Sequence, residues 1–291
     1  QECNTRCLID KVTRFEDEHK HPMNIDSMTA DDLRVFADFL SSDYDISMNT
    51  IVTNMTLMRT VCNWVRKQGV TNNDPFFGYD MPKALYGTPY FLTIQERDQV
   101  LDADLTDDAE LAEYRDMFVF QCMVGCRHSD LVTFTPKNII DGVLEYIPIK
   151  TKGKLGDVVR VPLIPKAMAI LDGHDHGDDE PIFPKHYNFK FNDAIRRILK
   201  RAKVNRVVTV INPKTRLEEK KPISDVATSH LARRTFIGNL YRMVKDPDLV
   251  ASMSGHAKGS VAFARYRVID DDMKKSLVEL IQWKSHSTLP L

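Results

Sequence analysis

Between residues 47 and 68, apolar Ile51, Met55, Met58, Cys62 and Val65 recur at four-three-four-three spacing, a period that places them on one face of an α-helix. An apolar stripe of that kind gains its stability from partners that cover it, not from the helix alone. Two candidate partners precede it. Leu8, Ile9, Val12 and Phe15 mark a helix over roughly 5–19. Thr29, whose hydroxyl can cap the amide near Asp32, opens another that carries Leu33, Phe36, Phe39 and Leu40 inward. Gly69 is the stop signal of the third helix. The start of the chain is therefore expected to be a small helical bundle.

The period lapses over 74–89, DPFFGYDMPKALYGTP, where Pro, Gly and aromatic residues mix without a face. A chain of 291 residues exceeds the usual single domain, so this break is the expected linker. The division is a helical domain over 1–83, a connection over 84–92 and a second domain over 93–291. Thr93 and Glu96 have capping-box spacing at the new start. The next helix, about 109–125, is acidic at its beginning and apolar at its end. Runs 143–150 (VLEYIPIK) and 158–163 (VVRVPL) look like strands joined by a polar turn, a β-hairpin. Helices follow over about 188–203, 228–243, 247–253, 260–267 and 271–284, with a second short hairpin within 206–223. The expected fold is mainly α with small β-hairpins, a helical domain followed by an α+β domain.

Composition narrows the function classes. No apolar run reaches the ~20 residues that cross a bilayer and no signal-peptide pattern opens the chain, so the expected setting is intracellular. A chain that begins with Gln1 suggests a segment upstream. Five cysteines, at 3, 7, 62, 122 and 126, form neither a disulfide framework nor paired CxxC ligand sets. Cys122 and Cys126 are four apart in MFVFQCMVGC and read as core on one helix face. His174 and His176 lack a third ligand nearby and read as solvated. The net charge of −1 hides an asymmetry: residues 1–120 carry 11 basic and 22 acidic side chains, the remainder 29 and 19. Within 185–221 there are 12 Lys and Arg against 3 Asp and Glu. That distribution suits a protein that meets a polyanion with one surface, although a solvated helix face reads the same way.

Three separated pieces carry chemistry. In GCRHSDL, 125–131, an apolar helix ends in Gly-Cys and presents Arg127, with Asp130 three residues on to orient the guanidinium. In SHLARRTF, 229–236, His230 and Arg233 share a helix face and can converge on one anion. Arginine's planar fork fits phosphate oxygens, and histidine can exchange a proton near neutral pH. In MSGHAKGSVAFARYRVID, 253–270, a Gly-His turn presents His256, and Tyr266 follows between Arg265 and Arg267. A phenol, with pKa ≈ 10, attacks well only where cations lower that value or a base removes its proton. Read singly, each piece also fits ordinary surface or packing roles.

Together, Arg…His-x-x-Arg…Gly-His…Tyr in this order resembles the tyrosine recombinase (phage integrase) family, and its overall character is similar to integrases of Bacteroides-type mobile elements. The motifs span about 93–285, and the helical module takes the place of the family's core-binding domain. The resemblance implies that Arg127, His230, Arg233 and His256 surround a scissile phosphate and that Tyr266 is the nucleophile. Two departures stand out. Arg234 occupies a position where the family often has His and could compete with Arg233, and the interval from His256 to Tyr266 is one residue longer than the commonest spacing. The family's catalytic lysine sits on a β-hairpin, where IPIKTKGK offers Lys150, Lys152 and Lys154. Lys150 is the first choice and Lys152 the second.

The implied reaction needs no metal, ATP or other cofactor. Its implied partners are double-stranded DNA, a homotetramer on two DNA sites, and accessory DNA-bending or directionality proteins. The implied location is the bacterial cytoplasm, near the nucleoid. Arg196, Arg197, Lys200 and Arg201, together with Lys152 if it is not catalytic, are expected to face DNA. The segment 271–291, with Leu277, Leu280, Ile281 and Trp283, is expected to dock on a neighbouring protomer. A type IB topoisomerase-like relaxer and a non-catalytic DNA-binding regulator are the alternatives.

Overall fold

The computed structural model describes residues 2–151, 158–174, 177–244, 246–256 and 278. The chain divides into two compact units, Gln1–Gly87 with Thr209–Glu219, and Thr88–Val208 with Lys220–Leu291.

In the first unit, α1 (Glu2–His19), α2 (Ala30–Ser42) and α3 (Met48–Lys67) form the bundle. Thr29 accepts from the Asp32 amide while the Asp32 carboxylate accepts from the Thr29 amide, so two open donors at the start of α2 are satisfied at once. Phe15, Phe36, Leu33, Leu40, Ile51 and Met55 are buried together, and Phe15 meets Phe36 and Phe39 edge to face. The α3 stripe faces this core, with Ile51, Met55, Met58 and Cys62 buried. Residues 209–219 join through backbone and charge: the Met48 amide donates to the Pro213 carbonyl at 3.1 Å, Lys214 pairs with Asp45, and Arg216 donates to the Lys83 carbonyl.

The second unit opens with α4 (Ile94–Leu101), capped by the reciprocal Thr93–Glu96 box. Next comes α5 (Ala109–Val124), buried continuously from Met117 to Val124. A helix covered on every side needs no apolar stripe, and α5 is the axis on which the other helices pack. It ends at Gly125, whose φ is +69°. A Cβ there would lie 2.2 Å from the Phe236 ring, so both the left-handed backbone and the close approach demand glycine. Cys122 is buried within α5, but Cys126 lies past its end; it is buried without sharing a helix face with Cys122. The short α6 (His128–Leu131) follows, and then a three-stranded antiparallel sheet in the order β1 (Ile139–Ile140), β2 (Val143–Tyr146), β3 (Val159–Pro162). Its register sets Tyr146 opposite Val159. The strand stops at Tyr146, not residue 150; Ile149–Thr151 is a 3-10 turn after Pro148.

The chain continues through α7 (Pro165–Asp172), started by a proline at its first position, and α8 (Asn188–Arg201). A two-stranded sheet of β4 (Val207–Ile211) and β5 (Glu218–Pro222) precedes α9 (Ile223–Val226), α10 (Ser229–Val244) and α11 (Pro247–Ser254). Helices α10 and α8 both pack on α5. The expected mainly helical fold with small antiparallel sheets is the one observed. The expected helices over 260–267 and 271–284 lie outside the described residues, apart from helical Val278. Among the described residues no helix is long and apolar enough to cross a membrane.

Candidate active site

The end of α5, the start of α8 and the first turns of α10 enclose a cleft of about 440 Å³, lined by Gln121, Cys126, Arg127, His128, Ser129, Asn188, Ser229, His230 and Arg233. Three of the sequence-derived residues thus meet here from positions more than a hundred residues apart. His256 joins them through Arg233.

Arg127 follows the Gly125 turn directly. Its Nη1 is buried and, among the described residues, has no hydrogen-bond partner; it stands 4.0 Å from Asp130 Oδ2, within ion-pair range but too far to count as a hydrogen bond. Asp130 is 1% exposed. Its other oxygen accepts from the Ile149 amide at 2.9 Å, so it ties the Arg127 turn to the backbone just before Lys150. An unpaired buried guanidinium donor is costly, and an anion in the cleft would relieve that cost.

Arg233 is 1% exposed. Its Nη1 donates to the Gly125 carbonyl at 2.7 Å, and its Nη2 donates to the His256 ring, with Nδ1 3.0 Å and Nε2 3.2 Å away. Both of these partners are uncharged, so neither cancels the positive charge. The Cys126 carbonyl accepts from Gln121 Nε2 at 3.0 Å; two side chains therefore lock the turn that aims Arg127. Arg234 leaves the cleft and lies over the Tyr90 ring, 5.1 Å from its centroid. The helical phase thus gives Arg233, not Arg234, to the cleft.

Both histidines are neutral at neutral pH. His230 opens onto the cleft, where the surrounding protein and then the guanidinium groups of Arg234, Arg233 and Arg127 lower it to about 4. Burial and then Arg233, Arg127 and His230 lower His256 to about 3. Because Arg233 can only donate, the His256 ring must keep an unprotonated nitrogen toward it. His256 is delivered by a second glycine end: α11 stops at Gly255, φ +63°, where a Cβ would meet Val159 at 3.0 Å. Ser254 Oγ lies 2.9 Å from His256 Nδ1.

Lys150 is exposed in the 3-10 turn, one residue past the Asp130–Ile149 bond, and does not line the cleft. The expected strand end is therefore not what carries it. Lys152, Tyr266 and the segment 271–291 apart from Val278 lie outside the described residues, as does His176. His174 stands 3.6 Å from Asp116. The four α8 cations expected to face DNA do not line the cleft, and each stands beside a carboxylate: Arg196 with Asp193, Arg197 with Asp108, Lys200 with Asp225 and Arg201 with Asp107.

Sequence reasoning missed Gln121, His128, Ser129, Asn188 and Ser229. Gln121 had left a sign, a polar residue within an otherwise apolar run. His128 is stacked on Phe191 with ring centroids 4.9 Å apart, and burial followed by His186 lowers its pKa.

Separate segments that bring Arg127, His230 and Arg233 to one cleft, with His256 held against Arg233, on this mainly helical frame, fit one class: tyrosine recombinases, which are DNA strand transferases. The chain belongs to the phage integrase family, whose model matches residues 90–273. Solved structures agree on the fold. The Tn1549 transposon integrase (residues 82–397), in complex with circular intermediate DNA, is 17% identical with a TM-score of 0.66, covering 94% of this chain and 93% of that one. A lambda integrase (75–356) dimer bound to a COC′ core site is 14% identical with a TM-score of 0.62, covering 91% and 89%. The XerH site-specific recombinase bound to difH substrate, in a pre-cleavage complex, is 14% identical with a TM-score of 0.60, covering 93% and 76%. No curated protein matches the sequence.

Proposed function

We infer that the protein cuts and rejoins duplex DNA at defined sites through a covalent link to Tyr266, with the scissile phosphate held in the cleft at Arg127. The observation that carries this reading is the buried Arg127 Nη1 without a hydrogen-bond partner, beside the buried charge of Arg233. Two guanidinium groups facing one cleft suit the non-bridging oxygens of a phosphodiester, where charge builds up in the transition state.

The Tyr266 oxygen attacks phosphorus, and the bond to the 5′-oxygen breaks. The products are a 3′-phosphotyrosine and a free 5′-hydroxyl. His230, neutral and open to the cleft, takes the phenolic proton; the arriving phosphate offsets the nearby guanidinium charges and makes the imidazole a better base. Lys150, or Lys152 two residues on, protonates the leaving 5′-oxygen. His256 holds Arg233 in place, and Asp130 holds the turn that leads to Lys150. Because the phosphotyrosine conserves the bond energy, a second 5′-hydroxyl can reverse the step without ATP or metal. The helical unit grips the duplex, and four protomers on two sites exchange all four strands. DNA-bending or directionality proteins would set the geometry of that assembly.

A nicked duplex that loses its 5′-hydroxyl fragment after cleavage traps the covalent form. Tyr266→Phe should bind that duplex as the parent does and accumulate no adduct. Arg127→Ala and Arg233→Ala should lower the cleavage rate by about 10²–10³ or more, with much smaller losses in binding. An adduct that persists in Tyr266→Phe would overturn the assignment. Relaxation of supercoils without any joining between sites would move the protein to the topoisomerase class.

A further inference from the structure

We propose that Tyr187 and Phe189 form a base-reading contact beside the cleaved phosphate, their rings packing on thymine methyl groups in the major groove. The inference rests on the DNA-cleaving reading above and deepens it by naming a base preference.

The two rings are 75% and 69% exposed and stack on each other, centroids 6.0 Å apart with planes 23° from parallel. Two neighbouring aromatic side chains held at the surface lose the burial that large rings normally gain. The next aromatic in the segment behaves normally: Phe191 is fully buried. Asn188, between the two exposed rings, lines the cleft. Its Oδ1 accepts from Ser229 Oγ at 3.1 Å, and Asn192 Oδ1, one helical turn on, accepts from the Ser229 amide at 2.7 Å. The exposed pair is thereby tied to the start of the helix that bears His230 and Arg233.

That placement decides the partner. Asn188 lines the cleft and its two neighbours in sequence are exposed, so a duplex whose phosphate occupies the cleft would have its adjacent base pairs within reach of these rings. Lys185 and Lys190 frame the pair in the order Lys-His-Tyr-Asn-Phe-Lys. Lysine is depleted from the cores of protein–protein interfaces and favoured on surfaces that meet phosphates. Two rings side by side are too wide for the minor groove of about 6 Å, whereas the major groove of about 12 Å admits the end of a helix. In that groove the thymine methyl is the apolar group that distinguishes one base from the others.

The test uses the full chain and nicked duplexes randomised on both sides of the nick. Covalent adducts are isolated and their DNA sequenced. Parent adducts should be enriched in thymine about fivefold or more over the input within about two base pairs of the cleaved phosphate. Tyr187→Ala and Phe189→Ala should lose that enrichment while preferences farther away and thermal midpoints remain unchanged. Tyr187→Phe should keep it, because the ring and not the hydroxyl makes the contact. Replacing thymine with deoxyuridine should lower adduct yield for the parent but not for the double alanine variant. Unchanged enrichment in the alanine variants would overturn the proposal. So would intact enrichment with failed assembly on paired sites, which would make the rings a protein contact. If the parent formed no adduct on any sequence, the cleavage reading itself would fall, and this contact with it.

Discussion

Asp130 shows how much one buried side chain can organise. It is 1% exposed, accepts from the Ile149 amide with one oxygen and faces Arg127 at 4.0 Å with the other. Hydrogen bonds to charged groups contribute about 1.5–3 kcal/mol. Asp130→Ala is therefore expected to lower stability by about 2 kcal/mol and to slow cleavage more than it weakens DNA binding. Asp130→Asn keeps an acceptor for Ile149 and should recover most of the stability while leaving Arg127 without a nearby anion. Urea titration and single-turnover cleavage of the two variants separate these effects. Equal stability loss in both would mean that the Ile149 bond is not what Asp130 contributes. The sequence suggested Asp130 as a partner of Arg127, three residues away. Its stronger link, across 19 residues to Ile149, was invisible because it forms only where the 3-10 turn after β2 meets α6.

At the scale of elements, the clearest sequence signals were local ones. The Thr29 and Thr93 boxes, the α3 stripe and the glycine ends all reappear, since each depends on residues within a turn or two of one another. Helix α7 lacks a clear apolar period in sequence although Pro165 stands at its first position, and the strand ends at Tyr146, four residues before the expected end at 150. Apolar Ile147 and Ile149 prolong the β pattern, but the chain turns at Pro148. The four α8 cations expected alike to face DNA, Arg196, Arg197, Lys200 and Arg201, prove unequal. Arg201 donates both to the Asp107 carboxylate and to the Asp104 carbonyl, whereas among the described residues Arg196 has Asp193 alone, at 3.5 Å. Each phosphate contact changes the slope of log K against log salt by about 0.9. Arg196→Gln should therefore flatten the salt dependence of binding by about one contact and Arg201→Gln should leave it nearly unchanged. The reverse order would show that DNA draws Arg201 away from Asp107.

On the scale of the whole molecule, the proposed reaction couples cleavage to assembly. The segment after Tyr266 carries Leu277, Leu280, Ile281 and Trp283 in a helical pattern, and we propose that it docks on a neighbouring protomer, so that assembly acts on the position of the nucleophile. Truncation after Asp272 should leave half-site binding within about twofold and abolish pairing of full sites, as read by gel shift and sedimentation; unimpaired pairing would count against the idea. Sequence alone determined what depends on short range: helical periods, caps, stops, charge distribution, and the motif order that brings the family to mind. Tertiary structure alone decided which side chains meet. Arg233 reaches the Gly125 carbonyl across 108 residues, Gln121 and Arg233 jointly hold the turn before Arg127, and Asn188, flanked in sequence by two exposed aromatic rings, lines the cleft. Hydrogen-bond geometry and burial depend on how helices pack, and no periodicity within a single element encodes that.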